Sequence, residues 1–298
     1  MTLLTSMNDS CRKGCRWPSP LCRKRNCPLK DNADDQFSTA SAARDTVTKR
    51  PPLFAALHLA IAFLTRLPLP APRLMGSSTL AAAMHVFPLA GVVVGGLGAA
   101  SYALASCVLP PVLSATLAVA AMAAATGAMH EDGLADIADG FGGGADRERK
   151  LAIMKDSRIG SYAAVTLVVS QLLKIFAIAE LAKPGLVTGA LIAAHALGRA
   201  AIPLAMQLLV PARESGLGVA VGRPAPSTAG IAATLALVIA AIGLPAGAAF
   251  AASMAAAVMT LAVAWLAWRQ IGGQTGDVLG GIEQVAEIAA LLAVVALR

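Results

Sequence analysis

The sequence predicts an all-α fold: a polytopic membrane helical bundle of about seven transmembrane helices, preceded by a short re-entrant or interfacial helix. Of the 298 residues, 57% are hydrophobic and 14% are charged, whereas soluble domains carry about 25% charged residues. The mean hydropathy is +0.68. Several apolar runs approach or exceed the roughly 20 residues that a helix needs to cross a bilayer. The lipid bilayer is therefore the first predicted partner of the chain.

Residues 1–52 differ in character and are predicted to be a basic, disordered extension, followed by an integral-membrane domain, residues 53–298. The first 50 positions hold ten Lys and Arg but five Asp and Glu, so most of the net charge of +7 lies there. This placement, with only 4% aromatic residues, argues against nucleic acid as a partner. No apolar stretch follows the charges as it would in a signal peptide. A zinc knot stays open as the alternative for Cys11, Cys15, Cys22 and Cys27.

The first apolar run, residues 53–64, has about twelve residues and ends at the prolines of TRLPLPAP, so whether it crosses is left open. Seven longer segments are predicted to cross the bilayer. In the first of them, Gly91 and Gly95 stand four residues apart, which favours close helix packing in lipid. The predicted spans are residues 80–109, 111–129, 162–182, 185–209, 229–246, 248–268 and 281–297.

The loops predict the orientation. If each of the seven segments crosses once, the loops 65–78, 130–160, 210–228 and 269–280 fall on one side and hold nearly all of the remaining charge. The turns on the other side contain Lys183 as their sole charged residue. By the positive-inside rule, the charged face is cytoplasmic.

The loop 130–160 concentrates carboxylates. If residues 132–139 are helical, Asp132, Asp136 and Asp139 share one face within roughly 60°. Like charges at this spacing repel, and no basic residue is interleaved, which predicts a bound cation. Oxygen ligands favour Mg²⁺ over zinc. The alternative is a solvated loop in which aspartates cap helices, which would explain one or two of the three.

The residues after the stripe point to phosphate. Gly140 and the run 142–144 (Gly142, Gly143, Gly144) let the backbone turn and approach a ligand closely. Lys155 and Arg158 bracket Asp156 in KDSRIG. One loop therefore holds carboxylates that suit a metal ion and basic side chains that suit phosphate. This combination predicts phosphoryl or nucleotidyl transfer. For the basic pair, an ion pair with Asp156 or anchoring at the membrane surface is the alternative.

A few ionisable residues lie in or next to the spans. His195 and Arg199 are four residues apart inside one span, where such groups usually face the bundle interior or a cavity, and we expect them to face substrate. Asp277 starts the last span on the charged side and either completes the metal or nucleotide site or caps the helix. Lys174 and Glu180 receive no role. For Arg66 and Arg213, membrane anchoring and substrate contact explain the sequence equally well.

Five ordered segments resemble the cobalamin synthase family, adenosylcobinamide-GDP ribazoletransferase, over essentially everything after residue 52. They are TRLP at 65–68, HEDGLADIADGFGGG at 130–144, IMKDSRIGSY at 153–162, PAR with GLG at 211–218, and GGQTGDVLGGIEQVAE at 272–287. Members of this family normally begin close to the LTRLP segment, so the preceding residues are a departure.

The resemblance implies a reaction. The family joins adenosylcobinamide-GDP to α-ribazole or its 5′-phosphate, releases GMP, requires Mg²⁺ and resides in the bacterial inner membrane, with the active face cytoplasmic here. Asp132, Asp136 and Asp139 would hold Mg²⁺ against the diphosphate. Glu131 or Asp156 would be a further ligand or the base that accepts the ribazole hydroxyl proton. Gly142, Gly143, Gly144, His195, Arg199 and Asp277 would bind substrate, while Lys155 and Arg158 would clamp diphosphate oxygens. Whether the protein is a homo-oligomer stays open.

Three other classes are weighed against this one. A CDP-alcohol phosphotransferase carries Asp-Gly-x-x-Ala-Arg, whereas Ala135 is followed here by Asp136. A UbiA-type prenyltransferase has two separated Asp-rich motifs, and this chain has one strong motif. A transporter would use His195 and Arg199 to bind its cargo, but the paired interrupted helices of many transporters are not evident in the sequence.

Overall fold

The computed structural model describes residues 50–70 and 77–298. The predicted disordered extension and its four cysteines therefore lie almost wholly outside the described residues. Within the described ranges the chain is built from α-helices, with one isolated bridge between Pro211 and Gln274. The predicted all-α fold is confirmed.

Twelve α-helices and one 3₁₀ turn make up the described part of the chain. They are α1 (Leu53–Leu64), α2 (Ser77–Ala83), the 3₁₀ turn (Met84–Val86), α3 (Phe87–Ala105), α4 (Pro111–Thr126), α5 (Met129–Gly143), α6 (Arg147–Ile153), α7 (Ser161–Leu181), α8 (Pro184–Leu208), α9 (Leu217–Val221), α10 (Pro226–Gly243), α11 (Ala246–Ile271) and α12 (Gly276–Ala296).

Six stretches are long and apolar enough to cross a membrane: Thr79–Ala105 and the helices α7, α8, α10, α11 and α12. A seventh crossing is possible only if α4 and α5, which meet at an angle of 91°, count as one broken span. The predicted span 111–129 is thus corrected to a helix that stops at Thr126. The last helix starts at Gly276, five residues before the predicted start at 281, because the Thr275 side chain caps it by accepting from the Val278 N–H.

The turn between α4 and α5 has a local cause. Gly127 and Ala128 both adopt left-handed backbone conformations, with φ of 65° and 55°. The N–H of Ala128 donates to the carbonyl of Ala123 at 2.9 Å, which is the hydrogen bond of a Schellman helix ending. This ending turns the chain away from the axis of α4, and α5 starts in a new direction.

The interior of the bundle is organised around α8 and α12, which are buried along most of their length. Gly91 and Gly95 of α3 face α8 so closely that a Cβ at Gly95 would lie 2.7 Å from the Leu191 carbonyl oxygen. The predicted close packing at these glycines is confirmed. Short Cα–Cα approaches of this kind increase dispersion contacts where lipid supplies no hydrophobic driving force.

The outer helices expose apolar side chains instead. Val165 and Phe176 on α7, Ile242 on α10, and Phe250 and Trp265 on α11 are all more than half exposed. A contiguous apolar surface of this extent would be unfavourable in water and suits hydrocarbon. The chain is a multi-pass membrane protein.

Candidate active site

Helix α5 carries the predicted carboxylate stripe and rests directly on α12. A Cβ at Gly133 would lie 2.7 Å from the carbonyl oxygen of Asp277 and 3.2 Å from the Cα of Gly280. A side chain at Gly281 would collide with Ile137. Because only hydrogen fits at these positions, the two backbones touch, and Asp132 is brought next to Asp277.

A cavity of about 210 Å³ opens where α5 meets α12. One part of its lining is polar and includes Asp132, Asp277 and Arg213. The remainder is mostly apolar, with side chains from α1, the 3₁₀ turn, α3, α8 and α12. The apolar wall includes Phe63, Met84, Phe87, Ile202, Met206 and Leu279.

Asp277 occupies a small polar network at the start of α12. Its Oδ2 lies 3.4 Å from Nη1 of Arg213 and accepts a hydrogen bond from the Thr275 hydroxyl at 3.1 Å. The Nη2 of Arg213 donates to the carbonyl of Leu151 at 3.0 Å. The Nε of Arg213 is buried and has no hydrogen-bond partner among the described residues. The cap of α12 is Thr275, so Asp277 does not serve as the helix cap and instead contacts an arginine at the cavity.

Asp136 follows Asp132 by four residues on α5, outside the six candidate spans, and does not itself line the cavity. Partial burial raises its pKa to about 7, and the negative charges of Asp277 and Asp132 add to the rise, while Arg213 opposes it. We call Asp132, Asp136 and Asp277 the carboxylate cluster. Its aspartates outnumber the single nearby arginine, so the cluster favours an added proton or cation.

Asp139 has a different role in the structure. Its two carboxylate oxygens accept hydrogen bonds from the backbone N–H groups of Gly160 at 2.6 Å and Ala163 at 2.9 Å. These groups belong to the N-terminus of α7, where a negative charge is stabilising. Asp139, the third aspartate of the predicted stripe, thus caps a neighbouring helix. This agrees with the alternative interpretation, in which helix capping explains one or two of the three aspartates.

The predicted phosphate-binding residues lie away from the cavity. Arg158 contacts Asp156 through a forked pair, with Nη2 at 2.6 Å and Nε at 3.0 Å, and this pairing lowers the pKa of Asp156 to about 2. Lys155 is exposed, and none of the three lines the cavity. A Cβ at Gly142 would lie 2.8 Å from the Tyr162 ring.

The other two glycines of the run differ from each other. A side chain at Gly144 would collide with Lys150, whereas at Gly143 it would only reach ordinary contact with Ile153, 3.6 Å away. Gly142 and Gly144 therefore pack tightly against the protein's own side chains. A direct approach of this run to substrate stays a prediction.

Behind α5, charged side chains form a connected set inside the bundle, which we call the buried ionic network. Lys174 Nζ lies 3.3 Å from Glu131 and 3.3 Å from Glu287. Arg199 Nη1 donates to Glu283 at 2.8 Å, and His195 Nδ1 lies 2.8 Å from Glu287. The network consists of His130, Glu131, Lys174, His195, Arg199, Glu283 and Glu287, all buried.

His195 and Arg199 face the bundle interior, as their positions predicted, and are 3% and 1% exposed. Neither lines the cavity, so contact with substrate stays a prediction for both. Glu131 likewise faces Lys174. Sequence reasoning assigned no role to Lys174, Glu283 or Glu287; the available signal was the pair of glutamates four residues apart inside an apolar span.

Among the described residues, one group of three acidic or histidine side chains brings its ligand atoms within 4.8 Å of one another, namely His195, Glu283 and Glu287. It is not a convincing cation site, because Lys174 and Arg199 already supply positive charge to these two glutamates. Asp132, Asp136 and Asp139 do not converge this tightly.

Three of the predicted charged loops meet at one end of the bundle. Residues 210–212 pair with residue 274, with Ala212 N–H donating to the Gln274 carbonyl and Gln274 N–H donating to the Val210 carbonyl, each at 2.8 Å. Arg147 from α6 donates to the carbonyls of Ala212 at 2.6 Å and Ile271 at 2.8 Å. These contacts hold loops 130–160, 210–228 and 269–280 together around the cavity.

Comparison with known proteins identifies one family. The profile of the cobalamin-5-phosphate synthase family matches residues 56–295. A relative from Bradyrhizobium diazoefficiens is 44% identical over 247 residues, covering 83% of this chain and 95% of the relative. A relative from Mesorhizobium japonicum is 46% identical over 237 residues, covering 78% of this chain and 90% of the relative. Both are named adenosylcobinamide-GDP ribazoletransferase. No solved structure matches the chain.

Proposed function

The chain belongs to the cobalamin-5-phosphate synthase family, and we propose that it joins adenosylcobinamide-GDP to α-ribazole or its 5′-phosphate. The enzyme is a transferase of cobalamin biosynthesis. Beyond family membership, the observation that carries the proposal is the carboxylate cluster with Arg213, of which Asp132, Asp277 and Arg213 line the cavity. This arrangement suits a diphosphate held between cations.

In the proposed reaction, a free ribose hydroxyl of the ribazole, one that the 5′-phosphate does not occupy, attacks the phosphorus attached to cobinamide. A new phosphorus–oxygen bond forms, the bond to the GMP oxygen breaks, and GMP leaves with the bonding electron pair. The hydroxyl proton of the ribazole goes to a base. In such transfers the protein itself does little covalent chemistry. The rate therefore depends on aligning the two substrates and on neutralising the charge of the phosphate oxygens.

Mg²⁺ is the proposed cofactor. The raised pKa of Asp136 and the excess of carboxylates over cations are features of this structure that a divalent cation would relieve. Asp132, Asp136 and Asp277 would hold the ion, since Mg²⁺ typically binds one or two carboxylates plus substrate phosphates. When bound, it would supply charge neutralisation at the diphosphate. Asp139, which caps α7, would position that helix instead.

Arg213 is the proposed diphosphate-binding side chain of the cavity. Its planar guanidinium is held by Asp277 and by the Leu151 carbonyl, and its unpartnered Nε is available to donate to a phosphate oxygen. Lys155 and Arg158 are exposed and would reach the diphosphate only by a change of their loop. Of the two proposed bases, Asp156 is weakened by its low pKa, and Glu131 is engaged by Lys174.

The proposed location is the bacterial inner membrane with the cavity on the cytoplasmic side, where nucleotide substrates occur. The positive-inside distribution of charge supports this orientation. The contacts among loops 130–160, 210–228 and 269–280 agree with it, because they put the charged loops at the same end of the bundle.

The test is turnover by the purified protein in detergent with adenosylcobinamide-GDP, α-ribazole and Mg²⁺. We expect equal amounts of GMP and the complete corrinoid, and loss of both when Asp132 is replaced by Asn. A transporter would make no product in detergent. A CDP-alcohol phosphotransferase would instead release CMP from a CDP-alcohol, and that outcome would replace the proposal.

A further inference from the structure

We propose that the apolar wall of the cavity binds the bicyclic aromatic base of the nucleoside acceptor, and that Gln274 binds its ribose. This inference rests on the proposed function. In this proposal the cavity has an apolar wall that binds the base and a polar wall that faces the diphosphate. The corrin ring and the guanine lie outside the apolar part.

The apolar wall is assembled from helices distant in the chain. Phe63 comes from α1, Phe87 from α3, Met206 from α8 and Leu279 from α12. The rings of Phe63 and Phe87 stack, with centroids 6.1 Å apart and planes at 21°. Aromatic and methionine side chains offer polarizable surface that suits a flat aromatic ligand.

The apolar wall also discriminates against the corrin macrocycle. The peripheral amide side chains of the corrin would lose hydrogen bonds to water against this wall without replacement. We therefore expect the corrinoid to lie outside the apolar part of the cavity, with its diphosphate reaching the polar wall.

The chemistry of the wall separates the two available bases. Guanine carries hydrogen-bond donors and acceptors along its edge, and these groups would lose hydrogen bonds to water against Phe, Met, Ile and Leu side chains without replacement. The benzimidazole of α-ribazole has two methyl groups and a single free ring nitrogen. An apolar wall therefore favours the benzimidazole.

Gln274 supplies an independent observation. It lines the cavity, is 3% exposed, and its Oε1 has no hydrogen-bond partner among the described residues. A buried acceptor without a donor is costly unless a ligand provides one. A ribose hydroxyl is such a donor. Because Gln274 directly precedes the Thr275–Asp277 segment, a ribose held there lies between the apolar wall and the carboxylate cluster, as the reacting ribose hydroxyl requires.

The experiment compares Michaelis constants for the two substrates in purified Phe63→Ala. We expect KM for α-ribazole to rise at least about tenfold, with KM for adenosylcobinamide-GDP within about twofold of the unmodified protein. Phe176→Ala removes an exposed phenylalanine from the outer face of α7 and is the matched control, with both constants unchanged.

A second variant protects the test against misfolding. Val219 lines the cavity from its exposed side and is 38% exposed, so Val219→Trp fills the cavity at little cost to folding. Val219→Trp should also raise KM for α-ribazole. Equilibrium dialysis with labelled α-ribazole and labelled GMP then measures binding without turnover, and only ribazole retention should fall in both variants.

The outcomes separate the two proposals. If the unmodified protein makes no product yet binds α-ribazole in a Phe63-dependent way, the proposed function fails and the binding site stands. If product forms but the variants raise KM for adenosylcobinamide-GDP instead, the wall binds the other substrate and the inference is overturned. Unchanged constants in both variants would show that neither substrate depends on the apolar wall, which also overturns the inference.

Discussion

The carboxylates of the carboxylate cluster and those of the buried ionic network lie on the same two helices, α5 and α12, and differ in how their charges are compensated. Glu131 and Asp132 are neighbours on α5, yet Glu131 contacts Lys174 in the interior while Asp132 lines the cavity. Along α12, Asp277 faces the cavity, and Glu283 and Glu287 face the interior. A helix turns about 100° per residue, so adjacent residues point in different directions and can contact different surroundings.

The difference in charge compensation underlies the roles that we propose for the two regions. In the network, three glutamates face Lys174, Arg199 and two histidines. In the cluster, three aspartates face Arg213 alone. Buried charges that are paired hold helices together, because separating either partner leaves an uncompensated charge in low dielectric. Carboxylates left without cations are available to bind one, which is what a site for a magnesium diphosphate requires.

The largest expected effect is on the network. Glu287→Gln leaves Lys174 with fewer counter-charges inside the bundle, and we expect the free energy of unfolding to fall by about 3–5 kcal/mol. Thermal unfolding in detergent measures it. Glu148→Gln, at an exposed position on α6, is the control and should unfold as the unmodified protein does. A change of less than about 1 kcal/mol in Glu287→Gln would show that the network is not stabilising.

The next effect is on the cluster. Asp136→Asn preserves shape and removes charge, and we expect activity to fall by about 10²–10³-fold, as for loss of one electrostatic contact to the transition state. Expression, membrane insertion and unfolding temperature should not change. Activity near that of the unmodified protein, with the same Mg²⁺ dependence, would contradict the assignment of Asp136 to the metal.

Asp139 sharpens the comparison, because it belongs to the stripe but caps α7. Asp139→Ala removes the acceptor for two backbone N–H groups, and we expect a loss of about 0.5–2 kcal/mol in the free energy of unfolding. The apparent Mg²⁺ affinity, measured by titrating activity, should change little. A stability left intact together with a Mg²⁺ affinity reduced more than tenfold would return Asp139 to the metal site.

The smallest effect is on pH dependence. The pKa of Asp136 is raised from its ordinary value of 3.8 to about 7, so between about pH 4 and 7 the folded protein holds a proton that the unfolded chain has lost. Without Mg²⁺, stability should therefore fall as pH rises through this window. Thermal unfolding across pH with and without Mg²⁺ measures it, and added Mg²⁺ should stabilise more at pH 8 than at pH 6. In Asp136→Asn, the stabilisation by Mg²⁺ should no longer differ between pH 8 and pH 6. If the variant and the unmodified protein have the same pH profile, the pH dependence does not come from Asp136.

Several features of the site follow from local pattern. The spacing of Asp132 and Asp136 predicts one helical face, and the position of Asp277 after a charged loop predicts the same end of the bundle. Both features are present, because helix periodicity and hydropathy act over a few residues. The kink after Thr126 is less accessible to such reasoning, since Gly127 and Ala128 lie within a continuous apolar run.

The partners of the charged residues follow from no local pattern. Nothing near Asp139 in the chain indicates that its oxygens face Gly160 and Ala163, and nothing near Lys174 indicates Glu287, 113 positions away. Arg213 lines the cavity, whereas Lys155 and Arg158 do not. This placement likewise depends on a contact between distant segments, the pairing of residues 210–212 with residue 274.

By itself the sequence determined that this protein is a helical membrane bundle with an acidic segment at one end. The hydrophobic effect and the 3.6-residue repeat depend on composition and short spacing, and both can be read along the chain. Only the tertiary structure decided which carboxylates have partners and which remain open to a ligand. Charge compensation depends on which helices touch, and the contacts of α5 with α12 are made through glycines that carry no charge signal of their own.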